Sequence, residues 1–295
     1  MRRLPTLLLP GLLLALLLPH TAQAATPPQP AYLTLFADRA QLVEANCATK
    51  TPLPGAVSLD TVFADLAARN LVPTMGVVTK FINEDTHRCA NPALYPSWQD
   101  LAQWHSQYGI EATSNGNTKL ILTTATDAQL QDETCGSLPL FTTHGFNRAW
   151  GMFSYPNDQF NAHTQATVLS CFSFGRDYAN TVNVQPGLNG FAYVKQLRGG
   201  DSASFNGPGP VKYSTPSEIL PYTHPRAGQW RVVQFYRFVT GTQPGMWDCA
   251  SPNPADHWTW KTETYCYNDW LTIIDQITLP PTDPATVATT WGRAR

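Results

Sequence analysis

The stretch GIEATSNGNTK, Gly109 to Lys119, decides how the chain is read. It follows a short amphipathic segment, where a barrel of alternating strands and helices would place a site-forming strand end. It keeps Glu111, a turn-prone Ser-Asn-Gly-Asn core, and two polar side chains four residues apart, Asn115 and Lys119. That spacing sets both on one side of a helical turn, as two ligands of one metal ion require. Asparagine and lysine are poor ligands for zinc. The stretch has the outline of a metal-binding turn without its donors.

Upstream, Tyr32 to Phe36 reads as a buried strand that ends at Ala37-Asp38-Arg39. Ser58 opens a helix running to Asn70, with Leu59, Val62, Phe63, Leu66 and Ala67 on one face. Thr74 to Val78 is the next apolar strand. Ser97 and Asp100 form a capping box for a helix whose stripe is Trp98, Leu101, His105 and Tyr108. Gly109 ends that helix at a left-handed position.

Downstream, Asp127–Cys135 and Asp158–Ser170 read as helices, and Tyr265–Ile277 as a closing helix. Trp150–Tyr155, Cys171–Gly175 and Trp230–Val239 read as strands. Between Asn180 and Gly228, Gly, Pro, Ser and Asn dominate, so irregular loops are expected there. Strands alternating with helices imply a parallel sheet. The order of elements points to an α/β barrel whose active face lies at the carboxyl ends of its strands.

Residues 1–24 read as a secretory signal: Arg2 and Arg3, an apolar run from Leu7 to Leu18, and a cleavage site at Ala22-Gln23-Ala24. Residues 25–31 form a Pro-rich leader, 32–279 one domain, and 280–295 a tail expected to be disordered. No transmembrane anchor is expected after cleavage, and the expected destination is secreted or periplasmic. The formal net charge of -2 comes without any Lys/Arg block, so a nucleic-acid footprint is excluded. Six cysteines, Cys47, Cys89, Cys135, Cys171, Cys249 and Cys266, form no CxxC pair. An even count in an exported chain reads as disulfides, with fifteen connectivities open. The expected pairs are Cys47–Cys89, Cys135–Cys171 and Cys249–Cys266.

From Tyr32 to Ile277 the chain resembles the polysaccharide deacetylases of carbohydrate esterase family four, the NodB homology domain. The stretches carrying the likeness are LFADR at 35–39, VPTMGVV at 72–78, GIEATSNGNTK at 109–119, FSYPND at 153–158 and VVQFYRF at 232–238. The resemblance implies a distorted (β/α) barrel with irregular, disulfide-stapled loops. In that family a divalent metal polarises the acetyl carbonyl and acidifies a water. An aspartate base takes the water proton, and a late histidine protonates the departing amine.

By that resemblance the base position is Ala37, the metal aspartate is Asp38, and the two metal histidines are Asn115 and Lys119. The acid position is Tyr236, while Glu111, Tyr155 and Pro156 match the family pattern. Asp38, Glu111 and Tyr236 are left as catalytic candidates. No cofactor is expected, and zinc would enter only through a rearranged site. Asp38 and Lys119, at two ligand positions of one ion, are expected to pair.

Aromatic density adds a further feature. Met246 to Trp270 carries Trp247, Trp258, Trp260, Tyr265, Tyr267 and Trp270, which suit either sugar rings or a stapled satellite core. Trp150, Tyr155, Pro156, Tyr236 and His144 are the expected groove. The implied function is an exported glycan-binding protein lacking standard metal-dependent deacetylation, its partner a polysaccharide or peptidoglycan-like glycan. An active deacetylase or hydrolase with a rearranged site, and an envelope scaffold, stay open as alternatives.

Overall fold

The computed structural model describes residues 29–38, 45–46, 51–82, 94–177, 183–184, 190–199, 213–259 and 263–292. The signal segment, most of the leader, Cys47 and Cys89 lie outside the described residues.

Strands β1 (Tyr32–Ala37), β2 (Thr74–Val77), β3 (Glu111–Ser114), β4 (Met152–Phe153), β5 (Phe174–Asp177), β6 (Phe191–Gln196) and β7 (Gln229–Phe235) are neighbours in that order. Every neighbouring pair is parallel. β7 then returns to β1, in register from Tyr32↔Trp230 to Ala37↔Phe235. The sheet therefore closes into a distorted, seven-stranded α/β barrel.

The helices are α1 (Leu59–Ala67), α2 (Trp98–Tyr108), α3 (Asp127–Glu133), α4 (Leu138–Thr143), α5 (Ala162–Cys171), α6 (Pro216–Ile219), α7 (Tyr267–Ile274) and α8 (Pro284–Thr290). Local chemistry starts and stops them. The Ser58 hydroxyl accepts from the Thr61 N–H at 3.1 Å, satisfying a donor the first turn leaves open. At α2 the Ser97 N–H donates to Asp100 at 2.7 Å, the Asp100 N–H donates back to Ser97 at 3.1 Å, and Gly109 follows at φ 72°. The apolar stripe of α2 corrects the expected one: Leu101 and Trp104 are buried, whereas His105 is exposed with its Nδ1 2.7 Å from the Ile110 carbonyl.

Side chains along a strand alternate between faces, and the core sorts accordingly. Leu33, Leu35, Ala37, Met75, Val77, Ala112, Val233 and Phe235 pack outward with residues of α1, α2 and α7. Tyr32, Phe36, Met152, Phe174, Ala192, Val194, Trp230 and Val232 fill the barrel interior.

Three expectations are corrected. The region expected to be loops contains β6, a full barrel strand. The long strand expected from Trp230 to Val239 breaks at Tyr236. Beyond it Arg237–Val239 leaves the barrel to pair with Thr264–Cys266 and Ala56–Val57. The tail expected to be disordered folds as α8, whose Val287 and Ala288 join the interior cluster from the amino-terminal end of the strands. There Trp291 packs edge-on against Tyr32 and Trp230. Gly151 lets α8 sit this close, because a Cβ there would lie 2.5 Å from the Ala285 nitrogen.

Cys135–Cys171 ties the segment after α3 to the end of α5, and Cys249–Cys266 closes the Trp-rich region, each with Cα atoms 5.5 Å apart. Both pairs are the expected ones. Among the described residues no helix is long and apolar enough to cross a membrane.

Candidate functional site

The interior changes character at the carboxyl ends of the strands. Following the alternation upward, Asp38 comes after β1, Asn115 after β3 and Ser154 after β4, while Arg176 lies on β5 and Gln234 on β7. All five are polar and almost fully buried. The Asp38 N–H donates to the Phe235 carbonyl at 2.9 Å, continuing the β1–β7 ladder by one residue. Gly76 on β2 makes room for it: a Cβ there would lie 3.1 Å from Asp38 Oδ1 and 2.7 Å from the Phe36 ring.

Asp38 sits at the centre of a network. Asn115 Nδ2 donates to Oδ1 at 2.9 Å, Gln234 Nε2 donates to Oδ2 at 3.0 Å, and Arg176 Nη1 forms an ion pair with Oδ2. The same Nη1 reaches Gln234 Oε1 at 3.1 Å, while Nη2 donates to the Tyr155 carbonyl at 3.3 Å and pairs with Asp158. Arg176 thus lies between a buried carboxylate and a partly exposed one. Asn157 and Asp158 both have positive φ, 52° and 55°, a backbone region these two residue types tolerate better than most. Burying an ion this deeply costs several kcal/mol, and direct pairing with further hydrogen bonds is what offsets that cost.

The Gly109–Lys119 stretch is held by a second buried acid. The Glu133 carboxylate accepts from the Asn117 N–H at 2.9 Å, from the Thr118 N–H at 2.9 Å, and from the Thr118 hydroxyl. The Asn117 side chain donates to the Asp132 carbonyl at 2.7 Å and accepts from the Thr79 hydroxyl. Oriented backbone N–H groups around a carboxylate make a fixed anion nest. Among the described residues, these hydrogen bonds fix the shape of the turn.

Of the residues expected from sequence, the structure brings Asp38 and Asn115 together. Arg176 is a cation paired with Asp38, and no Asp38–Lys119 ion pair is found among the described residues. Lys119 itself takes the left-handed backbone at φ 62°. Glu111 begins β3 and therefore lies at the opposite end of the barrel, near Asp283 and Arg148. Burial is the main cause that pushes its carboxyl above the ordinary range.

The expected groove is also corrected. Trp150 packs against the interior cluster at the amino-terminal end. Tyr155 is fully buried over Gly175, with its acidity suppressed by desolvation. Pro156 and Tyr236 are buried, and His144 stacks on Trp98 in the helical layer at 4.1 Å. In the Trp-rich region Trp247, Tyr265, Tyr267 and Trp270 are core residues.

Arg176 and Gln234 escape a motif-based reading. Each is nonetheless a polar side chain on a barrel strand, at the parity of its interior neighbours Phe174 and Val232. That pattern is the signal that could have found them.

A divalent metal is implied by the resemblance, and the described residues around Asp38 do not fit it. Zinc takes cysteine, histidine or carboxylate donors. Among the described residues the partners of Asp38 are a guanidinium and two amides, all presenting N–H groups to it. The one described grouping of three potential ligands is His257, Cys266 and Asp269, in the C-terminal region. There Cys266 is committed to its disulfide, and His257 Nδ1 lies 2.7 Å from Asp269 and its Nε2 2.9 Å from the Ser251 carbonyl.

No family model matches the chain, and no curated protein is similar to it in sequence. Solved structures similar to it include a family 4 carbohydrate esterase from Streptomyces lividans in complex with acetate. It is 13% identical over 90% of this chain and 91% of that one, with a TM-score of 0.40. A Streptococcus pyogenes deacetylase in complex with acetate is 13% identical over 48% of this chain, with a TM-score of 0.38; the chain spans 54% of its length. A CE4 family pseudoenzyme from Bacillus anthracis is 12% identical over 71% of this chain and 56% of that one, with a TM-score of 0.35. With superposition scores this low, the barrel rests on its own strand order and register, and the site on its own hydrogen bonds.

Proposed function

We propose that the chain is an exported, glycan-binding protein on a deacetylase-like barrel that does not carry out metal-dependent deacetylation. The observation that supports this reading is the Arg176 guanidinium on Asp38. A guanidinium is a fixed monocation with no open coordination position, so it cannot bind and acidify a water as a divalent metal does. Ala37 offers only a methyl group where a base would stand. The buried Tyr236 phenol is a poor substitute for an imidazole near neutral pH.

The rim still has hydrogen-bonding capacity suited to sugar hydroxyls. Asn115 Oδ1 and Ser154 Oγ are buried without a hydrogen-bond partner. An unpaired buried polar atom of this kind costs about 1–3 kcal/mol, which a donor from a ligand would recover.

The test combines metal analysis of the purified protein, acetate release from acetylated chitooligosaccharides, and retention on insoluble glycans. We expect no stoichiometric zinc, no acetate and measurable retention on at least one glycan. One equivalent of zinc with turnover would overturn the reading in favour of a rearranged active site. Absence of retention on every glycan tried would overturn it in favour of a scaffold.

A further inference from the structure

A second site is written in the distribution of cations. Arg69, Lys80, Arg148, Arg176 and Arg237 each have a carboxylate within ion-pairing distance. Lys195, Arg198, Arg226 and Arg231 have none among the described ion pairs, and these four lie together. Lys195 on β6 and Arg231 on β7 both face outward, since their neighbours Val194 and Val232 fill the interior. They converge on the ring of Tyr222, with Lys195 Nζ and Arg231 Cζ each 5.0 Å from its centroid.

Arg198 lies near enough to act on Lys195, and Arg226 near enough to act on Arg231. Burial first, and then the Arg198 charge, hold the Lys195 ammonium below its ordinary value. Burial and the Arg226 charge do the same to Arg231. Among the described residues Glu218 is the one carboxylate acting on Lys195, and its influence is the smallest of the three. It already accepts from the Thr215 N–H at 3.1 Å. The backbone is fixed at both ends, by Ser214 on the Arg198 N–H at 3.2 Å and by Gln229 on the Arg226 N–H at 3.0 Å. Arg231 Nε is buried with no acceptor among the described residues.

Cations crowded beside one another, with a buried guanidinium Nε lacking an acceptor, are stabilised by an incoming oxyanion. A row of cations, rather than a single pocket, matches a ligand that carries its charges in sequence. We infer that the Arg226–Arg231–Tyr222–Lys195–Arg198 row is a docking strip for an acidic glycan bearing carboxylates along its chain. This rests on the glycan-binding reading for the class of polymer, and uses a different face of the barrel.

The experiment measures binding of polygalacturonate, neutral acetylated chitooligosaccharides and single-stranded DNA to the full chain at low and physiological salt. We expect salt-dependent binding of polygalacturonate, weakened about tenfold or more by the pair K195Q and R231Q. The exposed substitution R226Q should weaken it less and supplies the answer should the pair fail to fold. Neutral oligosaccharide binding should be unchanged in all variants. The inference is overturned by absence of polygalacturonate binding, by variants that bind as tightly as the parent, or by DNA binding of equal strength. Neutral glycan retained without polygalacturonate would sink the strip and leave the rim reading standing; the converse result would do the opposite.

Discussion

The two ends of one barrel solve the problem of filling its interior in opposite ways. At the amino-terminal end Tyr32, Trp230, Val287 and Ala288 make an apolar floor that α8 seals. At the carboxyl end the same strands present Asp38, Asn115, Arg176 and Gln234, which are joined to one another through charge and hydrogen bonds. The floor gains from area removed from water, which tolerates small changes of shape. The rim depends on every partner being present, because a half-satisfied buried network is worse than none. Stability is therefore distributed along the floor and concentrated at single atoms on the rim.

The largest expected effect comes from breaking the rim. Arg176→Met removes a buried guanidinium from Asp38 and should lose about 3–5 kcal/mol in urea unfolding. Adding Asp38→Asn should recover most of that loss. A single variant as stable as the parent would show that the Asp38 ion pair does not hold the rim.

At the floor, Gly151→Ala must push α8 away from its seat, since the new methyl would meet the Ala285 backbone. A cost of about 1–3 kcal/mol is expected, read in the same unfolding assay. No change would mean that α8 is not pressed against this turn.

Asp158→Asn separates the two carboxylates that flank Arg176. Its side chain is 40% exposed, so the loss should stay below about 1 kcal/mol. An effect as large as that of Arg176→Met would place the weight of the network on the outer acid instead.

The smallest effect is a pH dependence at the floor. Burial raises the Glu111 carboxyl, so the fold holds its proton more tightly than the unfolded chain does. The stability this contributes is present at low pH and is lost as pH rises from the ordinary carboxylate range through the raised value. Glu111→Gln should flatten stability against pH over that window and be no less stable at neutral pH. An unchanged pH profile would place the titration elsewhere.

What could be read from the sequence was local and covalent. The Ser58 and Ser97 caps, the Gly109 terminator and two of the cysteine pairs all occur where expected. β6 was hidden because Gly- and Pro-rich flanks outweighed the apolar alternation of Phe191–Gln196. Arg176 was hidden by a strand read three residues early, which left it just beyond the end. Glu111 and Trp150 were misplaced because motif matching ignores which end of a strand a residue occupies. The partner of Asp38 could not be inferred from spacing, since Arg176 lies far along the chain and is brought there by barrel closure alone.

The position of α8 bears on the order of assembly. The first strand closes against the seventh, and the stopper for the cavity they enclose is made from residues 284–290. During synthesis the early strands must wait, oily faces uncovered, until residues 284–290 have emerged. A holding chaperone would find its client in that interval, which ends only when α8 arrives.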